Sequence, residues 1–513
     1  MPAGDICEMS LDGRSMFLIE GTATGPFDVR DSRNAVLATV TPDASGHFSA
    51  LIPFGTATLG YYGNNNSVSN TTLTSVTRVP DFLDSMTSYA CLFRRCTELT
   101  SVCDLPGSGK CTDMIQMFEW CQKLVKAPMI DMKNVTSLNN AFAYCSSLKD
   151  VPSYDTSNCK DYSGMFGYCS ALEEAPVMDT SKGTRFYTTF RNCSSLKKIP
   201  LYDTSNSTSF SFMMQGCGSL KTVPHFDTSK GIDFQFFMDS CGSLTELPAF
   251  DFSSATNLSA AFRYCRSLTT LPALSFPKAT TVSSMFAACT GLLSAPSYSF
   301  PEATDLSYLF DQCNNIKTIG ILDTPKAMSV RWIFSRCWAL ENFPLRNTGT
   351  VIDFEYAFSD CCSLDDYYQL DYSKGTKLSA LFQNTKHTSL PYQGNPQNTT
   401  FGGMVSSENL TSLTGIDMTS YRDGMGNPFV STIAAEMDRT LPALTYIGAL
   451  DGLSDNLDLS MVPNLTRESL VAIFNSIANV SSDPKTLTLG ASNLGRLSAS
   501  DQAIASAKGW TLQ

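Results

Sequence analysis

Only three histidines, His47, His225 and His387, stand in a chain of 513 residues. Histidine is the side chain that ordinarily titrates nearest neutral pH, so this shortage leaves little for general acid–base catalysis. Charge is scarce too. Charged residues make up 16% of the chain, and 36 Lys and Arg against 48 Asp and Glu leave a net charge of −12. Such thin, net acidic charge argues against a nucleic-acid partner, because binding a phosphate backbone needs clustered cations. No run of about 18 apolar residues occurs, which is the length a spanning helix needs, so membrane insertion is not expected. The opening stretch MPAGDICEMSLDG also lacks the basic and apolar regions of a secretory signal.

Cysteine, by contrast, is plentiful. With no signal in view, the eighteen cysteines read as thiols rather than as a secreted disulfide framework. Their spacing is regular: Cys121, Cys145, Cys169, Cys193, Cys217, Cys241, Cys265, Cys289, Cys313, Cys337 and Cys361 stand 24 residues apart, and Cys96 precedes the first by 25. Phe or Met stands three residues before each, as at Phe118, Phe142, Met214 and Phe286, and Leu or Ile three residues after, as at Leu124, Leu148 and Ile316. Proline follows at seven residues in nine frames, from Pro128 to Pro344, and then an Asp-Thr-Ser-like step, as at Asp155, Asp179 and Asp227.

Each frame therefore reads as a short strand ended by proline, which cannot continue a parallel ladder. An Asx turn or helix N-cap follows at the Asp, and then a short helical turn. A unit this small cannot bury its own apolar face, so copies must stack, at a strand spacing of about 4.8 Å. The fold class expected is α/β: a solenoid of short parallel strands with a 24-residue period. In that stack the cysteines form a column, where a small apolar side chain with a weak S–H donor fills space and meets turn carbonyls.

The pattern MFxxCxxLxxxPxxDTS resembles the BspA-like leucine-rich repeats of bacterial surface proteins, over about residues 86 to 385. The resemblance implies a right-handed solenoid with parallel strands on its concave side, and roles in adhesion to cells, matrix or glycans. The C-terminal ending with Ala-Lys-Gly-Trp, Ala507 to Trp510, is similar to the close of many such proteins from gut bacteria and their phages.

Three divisions follow. Residues 1–85 lack the frame and carry β-rich runs, SMFLIEG, PFDVRD, AVLATVTPD and HFSALIPFG, expected to form a small antiparallel sandwich that serves as an attachment module. Residues 86–390 form the repeat solenoid. Residues 391–513 are longer, irregular coils with a C-terminal cap. Helices are expected there at NPFVSTIAAEM, at LTRESLVAIFNSIANV with Thr466 as its cap, and at SASDQAIASAKG with Ser498 and Asp501 at capping-box spacing.

Little of this supports chemistry. GSGKCT, Gly107 to Thr112, imitates the end of a phosphate-binding loop, but Asp104 stands where its first glycine belongs. His225 occupies a position otherwise filled by small or apolar residues, so a packed histidine is expected. One carboxylate per coil falls short of the six to eight oxygens Ca²⁺ requires, so neither metal nor cofactor is expected.

The candidate binding residues lie nine positions after the cysteines: Tyr154, Met178, Tyr202, Phe226, Phe250 and Tyr298. Strand alternation carries them toward the concave face, where an aromatic ladder suits sugar rings or a protein strand. A second reading has these rings only packing over the prolines.

The function expected is non-enzymatic adhesion or recognition of a host-cell surface protein or glycan. The bare N-terminus favours a virion component of tail-fibre or capsid-decoration type, joined to other virion proteins through residues 1–85. A bacterial cell-surface or secreted adhesin and a purely structural subunit are the alternatives. Fibres of this kind are commonly homo-oligomers by family analogy, although no heptads occur here.

Overall fold

The computed structural model describes residues 16–30, 35–53, 70–78, 87–105, 108–364, 370–385, 389–391, 412–414, 416–417, 443–454 and 456–513. The chain divides into two compact units, residues 1–255 and 256–513.

The first unit opens with strands β1 (Met16–Ala23), β2 (Phe27–Arg30), β3 (Val36–Val40), β4 (His47–Pro53) and β5 (Leu73–Arg78). These are the alternating runs visible in the sequence. β1 lies antiparallel between β4 and β5, and β2 and β3 form a separate antiparallel pair. The edge of Phe27 meets the ring of Phe48 at 4.9 Å, linking the two sheets. Gly21 is required by close approach, since a Cβ there would lie 2.1 Å from the Ser75 carbonyl oxygen. β5 also pairs in parallel with β6 (Ser101–Val102), so the sheet runs on into the first coil.

From residue 87 the chain is a β-solenoid. Parallel bridges join equivalent residues of successive coils, Asp113 to Ser137, Ser137 to Asp161 and Asp161 to Arg185 in the first unit, and Asp305 to Ser329 and Ser329 to Asp353 in the second. The proline splits the strand, because it has no N–H to donate. In the second unit Ser294–Ala295 pairs with Thr318–Ile319 before Pro296, and Tyr298–Ser299 with Leu322–Asp323 after it.

The core follows the frame. Leu124, Leu148, Leu172, Leu292, Ile316 and Leu340 are completely buried. The phenylalanines stack on one another within each unit, Phe93, Phe118, Phe142, Phe166 and Phe190 at centroid distances of 5.2 to 5.8 Å, and Phe262 through Phe382 at 5.4 to 6.1 Å.

The cysteine column lies inside this core. Cys145 Sγ donates to the Phe118 carbonyl at 3.1 Å, Cys169 to Phe142, Cys193 to Phe166, and in the second unit Cys313 to Phe286 and Cys337 to Phe310. Each of these thiols thus bonds the preceding coil. Burial pushes the column thiols well above the ordinary range.

The Asx turns form at the expected aspartates. Oδ1 of Asp155, Asp179 and Asp227 accepts from the N–H of Ser157, Ser181 and Ser229. The intervening threonine is buried and spans the coils: Thr156 Oγ1 donates to the Asp179 carbonyl at 2.8 Å, and Thr228 to that of Asp251 at 2.7 Å.

No α-helix forms among the described residues between 87 and 385, where the short 3-10 turn Ser108–Lys110 of the first coil is the helical turn present, so the α part of the expected α/β class is missing there. The segment before each cysteine is a run of tight turns. Alternate amides donate to the next coil, Phe118 N to Ala141 O and Trp120 N to Ala143 O, while those between donate within the coil, Cys121 N to Phe118 O. An α-helix would spend every amide internally and leave none for stacking.

Helices appear at the C-terminus as α1 (Arg467–Ser476), α2 (Gly490–Leu494) and α3 (Ala499–Ser506). Thr466 caps α1 and Ser498 with Asp501 closes the capping box of α3, both as expected. Arg467 reaches across to Asp501 at 2.6 Å. The parallel strands Leu457–Asp458, Lys485–Thr488 and Trp510–Leu512 complete this end. The helix expected at NPFVSTIAAEM lies outside the described residues.

Candidate interaction strip

The six candidate residues are not on the surface. Tyr154, Met178, Tyr202, Phe226, Phe250 and Tyr298 are all buried, none more than 7% exposed. The hydroxyls of Tyr154, Tyr202 and Tyr298 each donate to a proline carbonyl of the preceding coil, Pro128, Pro176 and Pro272, at 2.7 to 3.0 Å. The cause of the burial is a phase shift at the proline, since slipping an alternation by one residue exchanges its faces. Position eight after the cysteine is exposed instead, at Met129, Val177, Leu201 and Ile321. His225 shares that position. It is exposed rather than packed, with its ring bonded to the Ala249 carbonyl oxygen at 3.0 Å.

Aromatic rings do reach the surface elsewhere, on the run of turns. Two positions of each coil, five and one residues before the cysteine, adopt positive φ. Nine of these residues are aromatic: Trp120, Tyr144, Tyr168, Phe212, Phe236, Tyr264, Tyr308, Trp332 and Tyr356, with φ between 54° and 67°. All nine are half-buried.

In the first unit Trp120, Tyr144 and Tyr168 stack face to face at 4.0 and 4.3 Å. The Arg191 guanidinium lies 5.6 Å from the Tyr168 ring and 5.0 Å from Phe212, which stacks in turn on Phe236 at 4.9 Å. In the second unit Tyr308, Trp332 and Tyr356 stack at 6.0 and 4.2 Å, with Arg336 over Trp332. Arg266 lies over Tyr264 there at 5.4 Å. Burial, and then the neighbouring Tyr168 hydroxyl, raises the Tyr144 phenol above its ordinary range.

The left-handed backbone is a property of the coil and not of the rings, since Ala260, Ser284, Gln312 and Asn384 adopt it at the same two positions. The rings add stacking, about 0.5–1.5 kcal/mol per pair beyond burial, and leave a half-exposed aromatic surface along the turns.

The sequence carried a signal for the strip, since the same frame shows rings recurring one and five residues before the cysteine. Residues three before share that parity and are buried, so parity alone does not separate the three positions. Only the left-handed turns bring the outer two to the surface.

Among the described residues no group of His, Cys, Asp or Glu side chains is placed to hold a metal ion. No helix among them is long and apolar enough to cross a membrane.

Residues 87–198 and 184–299 match the model of a family described as a Mycoplasma protein of unknown function, DUF285. Residues 297–402 match the BspA type leucine rich repeat region, in six copies. No curated protein matches the chain. Among solved structures it is similar to a leucine-rich repeat protein from Bacteroides ovatus at 15% identity, over 88% of this chain and 97% of that one, with a TM-score of 0.35. A leucine-rich repeat protein from Eubacterium ventriosum matches at 17% identity, over 63% and 92%, with a TM-score of 0.34. A leucine rich cell surface protein from Faecalibacterium prausnitzii matches at 13% identity, over 80% and 92%, with a TM-score of 0.31. By its matched family models, the solenoid is similar to DUF285 over residues 87–299 and to BspA-type leucine-rich repeats over 297–402.

Proposed function

We propose that this chain is a non-enzymatic adhesion protein of a bacterial surface, which binds a protein of another cell or its matrix through the aromatic strip. The observation that carries the reading is the set of nine half-exposed rings that the left-handed turns hold at the surface of the coils. The family match supports a recognition scaffold, and a virion setting has no match to support it. Residues 1–85 serve as the attachment module, with β5 fixing them to the first coil.

Beads coated with the full chain and laid on an epithelial cell layer test this. The variant carries Tyr144→Ser, Tyr168→Ser and Tyr356→Ser. Its unfolding free energy in urea should fall by about 0.5–1.5 kcal/mol per site, the stacking contribution, since serine keeps the left-handed backbone and its strain. Its adhesion should fall about tenfold, as expected when aromatic anchors are removed. Equal adhesion by both proteins would overturn the proposal.

A further inference from the structure

Off the strip five arginines face carboxylates: Arg30 meets Asp28 at 2.5 Å, Arg94 meets Glu119 at 2.5 Å, Arg185 meets Asp161 at 3.4 Å, Arg331 meets Glu355 at 3.4 Å and Arg467 meets Asp501 at 2.6 Å. Arg346 and Arg496 bond carbonyl and amide oxygens. Lysines of both units face carboxylates from coil to coil, Lys197 to Glu173 and Lys326 to Glu302 at 2.7 Å. On the strip, Arg191, Arg266 and Arg336 lie over rings instead. None of these three has a carboxylate within ion-pair distance among the described residues. Asp311 feels the charge of Arg336 from beyond that distance, and Arg191 Nε is buried without a partner.

A guanidinium lying on a ring keeps its N–H edge free for a two-pronged bond to a carboxylate. The rings themselves limit the ligand. Trp120, Tyr144 and Tyr168 cover one another's faces at 4.0 and 4.3 Å, so along the stack only ring edges remain, and these carry the positive side of the aromatic quadrupole. Sugars bind rings through their faces. Carboxylates suit edges and guanidinium forks.

Resting on the strip as the binding surface, we infer that its partner presents acidic protein segments, whose Asp or Glu carboxylates are taken within each unit separately, by Arg191 in the first and by Arg266 and Arg336 in the second.

The test uses the full chain and a short fluorescent peptide of alternating Glu and Thr, beside its Gln–Thr counterpart and fluorescent heparin. Fluorescence anisotropy should show the Glu peptide bound about tenfold or more tightly than the Gln peptide, in line with a charge-assisted pair. The triple variant R191Q, R266Q, R336Q should lose that preference, and the triple Lys variant, which keeps charge without the planar fork, should keep only part of it. Equal binding of both peptides, or an unchanged triple Gln variant, would overturn the inference. Heparin binding without Glu-peptide binding would also overturn it, in favour of an anionic glycan. Bead adhesion separates this inference from the reading beneath it. Adhesion lost with the Tyr→Ser changes but kept in the triple Gln variant sinks only the acidic partner, whereas adhesion kept in both sinks the strip.

Discussion

At the scale of single residues, each column thiol does two jobs that alanine or serine would split. Cys193 fills a site with no exposure and donates to the Phe166 carbonyl at 3.0 Å, an oxygen that already accepts the Cys169 amide within its own coil. Cys193→Ala removes a weak bond and leaves a sulfur-sized void. The expected cost is about 1–2 kcal/mol, confined to neighbouring coils because a stacked array transmits only to nearest neighbours. Amide exchange should quicken around residues 166 to 196 and stay unchanged near residue 118. Quickening throughout the first unit would contradict that locality.

At the scale of the repeating element, the Asp turns make the array sensitive to acid. Side-chain and backbone bonds from Ser157, Ser229 and Ser373 hold the carboxyls of Asp155, Asp227 and Asp371 below their ordinary range, and the Ser181 amide and hydroxyl do the same for Asp179. A carboxyl lowered in the folded state contributes stability that is complete above its unfolded value, about 3.9. That contribution is lost as pH falls through the lower folded value. Urea midpoints should therefore hold between about pH 7 and 5 and drop below about pH 4. Changing all four to Asn keeps an acceptor for each turn and should flatten the acid limb, and an equally steep limb in that variant would place the acid sensitivity elsewhere. The same element shows why a helix is unfavourable here: Phe142 N and Tyr144 N must reach Met165 O and Gly167 O of the next coil.

At the scale of the whole molecule, the thiols are protected by position. Among the described residues only Cys362 is exposed and Cys103 half-buried, and the other fifteen cysteines are buried. Burial lifts Cys91 and Cys111 to about 11 and Cys159 to about 12, so thiolate is scarce at neutral pH even off the column. Native protein treated with iodoacetamide at about pH 8 and read by peptide mass spectrometry should carry label at Cys362 first and Cys103 more slowly. Label at Cys145 or Cys313 should require denaturant. Column labelling in native protein would show that the coils open far more readily than this packing implies.

The sequence by itself determined the stacked frame, the buried Phe, Cys and Leu columns, the Asp turns and the caps at Thr466 and Ser498. These rest on local chemistry repeated in register: a hydrophobic position, a turn former, a proline without a donor. What the tertiary structure alone decided is which rings face water. The rings at Tyr154 and Tyr202 turned inward because proline shifts the strand phase, and those at Tyr144 and Trp332 turned outward because their amides donate to the next coil from a left-handed backbone. Both outcomes depend on hydrogen bonds between coils, which a one-dimensional frame can count but cannot orient.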